Sequence, residues 1–519
     1  MDILIFVLTA LSFGAFWVLT QLKALHMFQL NGYKPATHRR WLKKNTSCFL
    51  PGVAVTAVCA VACLIPDNVI GAVVVAVVCA VCAVVIRPKK AKKPLVFTQR
   101  VIRQSLTLGI LTAAVAAVGL IFGGKVWFIA AAVAALTGPL WVLAAGFLNK
   151  PVEAAINNWF ISDAKKILKS CPELVTIGVT GSYGKTSVKY ILRTLLQAKY
   201  DCLMTPESYN TPMGVVLTVR NHLRATHEVF VCEMGARNVG DIKELCDMVH
   251  PQFGIITSVG PQHLETFGSI ENVKKTKFEL ADSLPEGGKL FLNGEDENIA
   301  AYRQNVGNPI VSYGLSDRCD YYATDISASS RGTTFTAHGP GGIMETFTAA
   351  MLGKHNVINI MGAIAICCEL GIELSKLKPQ IRKLESVPHR LQLLHRGAVT
   401  VIDDAYNSNP AGSRAAIDAL GLFDGFKVLV TPGMVELGDR QDELNKAFGA
   451  YAAGVCDYVV LVGRKQAVPI REGLLEAGYP EEKIYVADGL ADGLERAYAV
   501  SSMGKEKVIL LENDLPDNF

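Results

Sequence analysis

Acidic side chains are nearly missing from the first 150 residues, where Asp2 and Asp67 stand against 15 Lys+Arg, a net of +13. The other 369 residues hold 36 bases and 45 acids, a net of −9. The overall charge of +4 is thus an average of two unlike parts, and it offers no support to a nucleic-acid partner. Cysteine pairs are also scarce: Cys79-x2-Cys82 has no second pair at zinc-ribbon spacing, and most of the 13 cysteines are scattered. That pattern excludes a zinc ribbon and points to a reduced cytoplasmic domain, with Cys59, Cys63, Cys79 and Cys82 packing helix on helix inside apolar runs. No small-residue cleavage site follows the first apolar run, which argues against a removable leader. Nor is there an ABC-type signature or a second nucleotide-binding half, and this disfavours an ATP-driven transporter.

What the first part does have is apolar length. Uncharged runs cover Ile3 to Leu22, Cys48 to Pro66, Val69 to Ile86, Gln104 to Gly124 and Val126 to Asn149. Each is about long enough to cross the hydrocarbon core as a helix. Basic clusters lie at Lys34 to Lys44 and Arg87 to Arg103, whereas the alternate connections carry only Asp67 and Lys125. The positive-inside rule puts both clusters in the cytoplasm, the N-terminus outside and residue 150 onward inside. Residues 1–150 are accordingly expected to form a five-helix transmembrane domain, followed by a linker helix over 151–174 along the membrane edge.

The next stretch, Gly178-Val179-Thr180-Gly181-Ser182-Tyr183-Gly184-Lys185-Thr186-Ser187, is a glycine-rich phosphate loop. It departs from G-x-x-x-x-G-K-[ST] in having Val179 where that pattern has Gly. A strand over Val175 to Val179 and a helix over Ser187 to Leu196 put it where backbone N–H groups and a helix N-terminus converge on phosphate. Lys185 is placed to reach the terminal phosphates and Thr186 to hold Mg2+. Strands expected at Glu228 to Gly235, Phe253 to Gly260 and Lys289 to Asp296 alternate with helical patterns, the signature of a parallel sheet with its site at the carboxyl ends of the strands. A second such unit starts near Leu384, with strands around Thr400 to Ala405, Lys427 to Gly433, Tyr458 to Gly463 and Lys507 to Asn513. Glu233, at a strand end, can coordinate Mg2+. His263 by itself reads as a loop histidine, and Lys277, among the lysines of KKTKFEL, as part of a solvated helix face.

Ordered motifs over about residues 175 to 465 make the chain resemble the Mur ligase superfamily, most closely its MurF type, which adds D-alanyl-D-alanine to UDP-N-acetylmuramoyl-tripeptide. They are TGSYGKTS, NTPMGVVLT, CEMGARNVGDI, PQHLETFGSIENVKKTKFE, LNGED, GKHNVINIMGA, PHR, IDDAYNSNPAGS and MVELGD. The resemblance implies a central ATP-binding domain over 175–384 and a Rossmann-like C-terminal domain over 385–519. It further implies that Gly181, Gly184, Lys185, Thr186 and Ser187 cradle ATP; that Thr186, Glu233, His263 and a carbamylated Lys277 hold Mg2+; and that Lys185, Lys277 and His263 are catalytic. Asn293, Asp296 and Asn356 match adenine- and ribose-side positions, and Arg390 and Asp404 match residues that clamp ATP between domains. Asn210, Thr211, Tyr406, Asn407 and Asn409 fall at substrate positions. The implied activity is an ATP-dependent amide ligase of peptidoglycan precursor synthesis that works through an acyl phosphate, alongside other cell-wall synthesis proteins.

Two departures bear on the substrate. Only about 25 residues separate the last apolar run from the first strand, too few for the UDP-binding domain that opens soluble members. The expected acceptor is therefore a muropeptide at the bilayer, UDP-linked or lipid-linked, with an amino acid or dipeptide as the other component. The segment LLENDLPDNF stands where soluble relatives carry a Lys-Gly-Ser-Arg-like loop; Glu512, Asn513 and Asp514 either end a strand or face an amine-bearing partner. Folylpolyglutamate or poly-gamma-glutamate synthesis is the alternative within ligases, disfavoured by DDAYNSNP. A non-catalytic membrane-anchored protein that senses ATP or muropeptide is the alternative outside them, and intact Lys185, Glu233, His263 and Lys277 speak against it.

Overall fold

The computed structural model describes residues 2–87, 93–122, 124–303, 306–329, 332–386, 389–397, 399–405, 408–435, 437–463 and 467–513. The chain divides into two compact units, 1–159 and 160–519.

The first unit is all helix. Five stretches in it are long and apolar enough to cross a membrane: Leu4–Leu30, Thr46–Leu64, Asn68–Ile86, Gln99–Gly119 and Lys125–Lys169. The last is not one rod, because Gly138–Leu140 forms a 3-10 turn between the helices Gly124–Thr137 and Trp141–Lys169. The boundary expected at 150/151 falls inside that second helix, which carries Pro151 without ending there. Interior positions are small or polarizable: Cys59, Cys79, Ala72 and Val55 are almost fully buried. A Cβ on Gly52 would lie 2.2 Å from the Ala135 carbonyl oxygen, so glycine is what lets these two helices approach. Thr9 and Thr56 donate to the helix carbonyls of Ile5 and Gly52 or, across helices, to those of Ala72 and Ala132. Large apolar side chains such as Leu64, Val84, Ile110 and Phe122 point outward.

The second unit holds two sheets. The larger contains β1 (Val175–Thr180), β2 (Cys202–Met204), β3 (Val229–Glu233), β4 (Phe253–Ile256), β5 (Lys289–Asn293), β6 (Ile310–Gly314), β7 (Tyr321–Ser329), β8 (Gly332–Gly339) and β9 (Ile343–Ala349). Their order is β2-β3-β1-β4-β5-β6-β7-β8-β9. The pairs from β2 to β7 are parallel and β7-β8-β9 antiparallel. β1 is central, and Ile177 and Val179 are wholly buried, as a strand covered by helices on both faces requires. One face packs Val188, Leu192 and Leu195 of the helix Lys185–Leu196 with Ile360 and Ile364 of the helix Lys354–Glu369. The other packs Val216, Leu245 and Phe278 of the helices Pro212–His222, Asp241–Val249 and Ile270–Asp282. The antiparallel β7-β8-β9 extension was not expected from the sequence, whose Thr- and Gly-rich stretches there carry only weak apolar alternation.

The smaller sheet contains β10 (Gln392–Arg396), β11 (Val399–Asp404), β12 (Phe426–Thr431), β13 (Tyr458–Val462), β14 (Ile484–Ala487) and β15 (Lys507–Glu512), in the order β10-β11-β15-β12-β13-β14. Only β10 runs antiparallel to its neighbour. Its covering helices Gln441–Ala453 and Ala467–Glu476 touch backbone to backbone: a Cβ on Gly473 would lie 1.9 Å from the Lys446 carbonyl oxygen. Gly473→Val must push these helices apart. A loss of at least about 2 kcal/mol is expected, seen as a lower melting temperature of the full chain.

Candidate active site

β1 ends at Thr180 and the helix that follows begins at Lys185, so the phosphate loop proper is Gly181–Gly184. Val179, the departure from the general pattern, lies within the strand with its side chain wholly buried, and belongs to the core instead of the loop. Gly181 has φ 150° and Gly184 φ 81°, backbone that favours glycine. A Cβ on Gly181 would stand 2.1 Å from Thr257 Oγ1. The loop is held from beneath, where Tyr183 N donates to Ser258 Oγ at 2.8 Å and Ser182 N to Ser258 O at 2.8 Å. Lys185 Nζ donates to the carbonyls of Gly181 (2.7 Å) and Ser182 (3.1 Å). Burial, with Arg390 adding to it and Glu233 opposing, pushes the Lys185 ammonium down to about 8.

β3 lies beside β1 and delivers Glu233, 1% exposed, against the first turn of the loop's helix. Thr186 Oγ1 and Asn210 Nδ2 both donate to Glu233 Oε1 at 3.1 Å. The other oxygen, Oε2, is 2.9 Å from Lys189 Nζ. That approach lacks hydrogen-bond geometry, so Oε2 remains a buried oxygen with no hydrogen-bond donor among the described residues. Lys189 spends a donor on the Glu207 carbonyl instead. A buried carboxylate oxygen with free lone pairs next to a threonine hydroxyl suits a hard divalent cation such as Mg2+. Protein ligands alone do not complete such a site, for no group of three or more His, Cys, Asp or Glu stands together among the described residues.

Lys277 overturns its reading as a solvated lysine: it is 2% exposed in the helix Ile270–Asp282. Burial and the charge of Lys185 hold its ammonium well below the usual lysine range, against Asp241 and Glu279. His263 sits in a loop at φ 53°, and burial together with Arg237, Lys185 and Lys277 pushes it down to about 4. At neutral pH its imidazole is uncharged, the form that ligates metals. The fold thus brings Lys185, Lys277 and His263 together from three separate elements, with the charge of Lys185 acting on both of the others.

A cleft of about 250 Å3 runs between the two sheets' domains, lined by Gly184, Ser187, Asn293, Asn356, Arg390 and Asp404 among others. These are residues expected at ATP, now side by side. Asp296 is not in that lining: its two oxygens accept from Val259 N at 2.8 Å and Ile299 N at 3.0 Å, capping the helix Glu297–Tyr302. Asn356 Nδ2 donates to Leu352 O, and Asn293 Nδ2 to Thr257 O. Thr211 and Asn409 cap the helices Pro212–His222 and Pro410–Gly421 through the N–H groups of Gly214 and Gly412, and Asn409 also faces the cleft. Tyr406 and Asn407 lie outside the described residues.

On the C-terminal side, Asp404 of β11 is paired in register with Glu512 of β15. Glu512, 1% exposed, accepts from Thr431 Oγ1 at 2.5 Å and from Ser408 Oγ, so it ends a strand in the interior. Asn513 Nδ2 donates to the Gly433 carbonyl, and Asp514 lies outside the described residues. Burial and the charge of Glu512 push the Asp404 carboxyl up to about 7, against the Leu391 N–H and Arg390. Lys189 and His355, a cleft histidine pushed down to about 4 by burial, were not assigned from the sequence. For Lys189 a signal existed, because a lysine one turn after Lys185 interrupts the apolar stripe of Val188, Ile191, Leu192 and Leu195.

Sequence comparison fits this geometry. Residues 179–367 match the Mur ligase middle domain and 389–512 the Mur ligase glutamate ligase domain. The chain belongs to the Mur ligases. Within them it is similar to the UDP-N-acetylmuramoyl-tripeptide–D-alanyl-D-alanine ligase of Bacillus subtilis strain 168, with 34% identity over 305 residues, 58% of this chain and 65% of that relative. The chain therefore spans less than two thirds of that relative's length. Among solved structures, MurF from Acinetobacter baumannii superposes with a TM-score of 0.63 and 26% identity over 69% of this chain and 77% of that one. MurF from Thermotoga maritima in complex with ADP gives 0.61 and 25% over 69% and 80%.

Two outcomes follow. Lys189→Met leaves Glu233 buried without its counter-charge and should cost about 3–5 kcal/mol in denaturant titration, with the Lys189→Met/Glu233→Gln double variant recovering a large part. Asp404 is held above its unfolded value of 3.8, so its contribution to stability is fully present below about pH 4 and is lost as pH rises to about 7. Melting temperatures of Asp404→Asn should accordingly exceed the parent's at pH 8 and match them at pH 4.

Proposed function

We propose that this chain is an ATP-dependent amide ligase of the MurF type, working at a membrane on a muropeptide acceptor and an amino component such as D-alanyl-D-alanine. The observation that carries the reading is the joint placement of Lys185, Thr186 and Glu233 at the phosphate loop with buried Lys277 and half-buried His263, together with a cleft lined by Gly184 and Ser187 of the same loop region and by Arg390 and Asp404. The acceptor carboxylate attacks the γ-phosphorus of ATP, the bond to the β-phosphate oxygen breaks, and ADP leaves with an acyl phosphate formed. The amine of the second component then attacks the acyl carbon, and inorganic phosphate departs as the amide forms.

Lys185 meets the charge that builds on the transferring phosphoryl group and on the tetrahedral intermediate. Thr186 and Glu233 would hold one Mg2+, and His263 with a carbamylated Lys277 a second; the metal supplies charge neutralisation at the phosphates. Lys277 suits that modification, since burial lowers the basicity of its amine and so favours the neutral form, the one that adds to CO2. Arg390 and Asp404 reach ATP from the C-terminal domain, and closure around them excludes the water that would hydrolyse the acyl phosphate. His355 is neutral at working pH and adds no charge to the cleft.

The five apolar helices, with basic clusters in alternate connections, support a multi-pass membrane location with the ligase on the cytoplasmic side. The acceptor is then a muropeptide presented at the bilayer. The test incubates the full chain with ATP, Mg2+, D-alanyl-D-alanine and either UDP-linked or lipid-linked muropeptide, and reads products by mass spectrometry. ADP and a new amide are expected, with lipid-linked acceptor preferred; kcat should fall at least 1,000-fold (about 4 kcal/mol) in Lys185→Ala. CO2-free buffer should lower the rate and bicarbonate restore it, an effect absent in Lys277→Arg. Absence of any ATP-dependent amide product refutes the ligase assignment.

A further inference from the structure

A second pocket lies in the first unit, a cavity of about 110 Å3 lined by Lys23, His38, Trp41, Cys48, Pro51 and Ile86 among others. Lys23 is the one charged side chain of the apolar stretch Leu4–Leu30. His38 and Trp41 come from the short helix Pro35–Lys44, and Ile86 ends the helix Asn68–Ile86, just before the basic cluster that starts at Arg87. The cavity therefore sits at the end of the helices that carries the basic connections. An ionisable residue in such a helix, facing a cavity, points to a ligand.

His38 is wholly buried, and its ring stacks on Trp41 with centroids 5.5 Å apart. Asn31 Nδ2, a donor, lies 3.1 Å from His38 Nδ1, so Nδ1 is the acceptor and the ring proton sits on Nε2. Nε2 is buried with no hydrogen-bond partner among the described residues. A buried donor left without an acceptor is costly, and its presence beside a cavity marks where an acceptor belongs. Lys23 adds positive charge to the same cavity, and no carboxylate lines it to compensate. Thr20 and Ser47 add hydroxyls to the lining, and most of the remaining wall, Leu42, Pro51, Val85 and Ile86 included, is apolar. An anionic oxygen group attached to an apolar chain meets all three requirements. The volume is well under the range of about 300–1,000 Å3 typical of sites for drug-sized ligands, and this excludes a nucleotide-sugar.

We propose that this cavity binds the phosphate headgroup of an anionic membrane lipid, with His38 Nε2 donating to a phosphate oxygen, Lys23 supplying the opposing charge and the apolar walls taking the start of the chain. The inference rests on the membrane location proposed above, and binding is read without ATP or ligation, so it stands or falls apart from the ligase assignment.

The test titrates the detergent-solubilised full chain with phosphatidylglycerol, phosphatidylcholine or inorganic phosphate, following retained lipid by native mass spectrometry and stability by thermal unfolding. Saturable, stabilising binding of phosphatidylglycerol is expected. It should weaken about tenfold in Lys23→Met and in His38→Phe and remain unchanged in Lys125→Met, in the first turn of the helix Gly124–Thr137 and remote in sequence. Should His38→Phe not fold, Lys23→Met, at an exposed position, decides alone. Equal binding of phosphatidylcholine, equal stabilisation by inorganic phosphate, or undiminished phosphatidylglycerol binding in the foldable variants each overturns the proposal. A cavity that takes up only water, with no saturable lipid binding, overturns it too.

Discussion

A carboxylate buried at the end of an interior strand, β3, is the constraint around which the second unit is organised. Glu233 is 1% exposed, and an isolated carboxylate at that depth is untenable. Its neighbours answer that cost: Lys189 for charge, Thr186 and Asn210 for hydrogen bonds at one oxygen. Those neighbours come from the loop's helix and from the segment before the helix Pro212–His222, so compensating one carboxylate ties three parts of the chain to the phosphate loop. The oxygen left without a donor is the one a metal can use. The same arrangement that makes the interior tolerable makes it chemically ready.

Charge is partitioned across the cleft. The middle-domain side gathers Lys185, Lys277 and an uncharged His263, with both lysines held below the usual lysine range by desolvation, to which Arg390 adds at Lys185 and Lys185 adds at Lys277. The C-terminal side presents Asp404 over buried Glu512, two carboxyls in register on adjacent parallel strands, with Arg390 among them. The ligation proposed above, which begins with phosphoryl transfer and ends with amine attack, is compatible with that division.

The first unit solves the opposite problem, being poor in charge and rich in surface apolar groups. Without polar contrast, helices there associate through close approach, as at Gly52 against Ala135, and through threonines that share carbonyls across helices. Charge enters in few places. Arg103 forms a two-point ion pair with Glu153, and Lys23 faces the His38 cavity.

Much of this was legible in order along the chain. The phosphate loop, the strands expected at Glu228 to Gly235, Phe253 to Gly260 and Lys289 to Asp296, which end earlier at Glu233, Ile256 and Asn293, the apolar helices and the Mur ligase motifs all rest on local patterns: glycine where φ is positive, buried runs where a parallel strand is covered on both faces, uncharged length. Local pattern does not report depth. Lys277 looked like one solvated lysine among several because its neighbours Lys274 and Lys275 share its helix; only the packing of that helix against the sheet put position 277 inside. Lys189 was passed over although it interrupts an apolar stripe, and the oxygens of Asp296, matched to an ATP-side position, accept from the N–H groups of a helix and a loop. The sequence by itself determined which chemical groups the protein has and in which elements they stand. Tertiary structure alone decided which of them lose water and meet one another, because burial and charge coupling depend on what packs from distant parts of the chain.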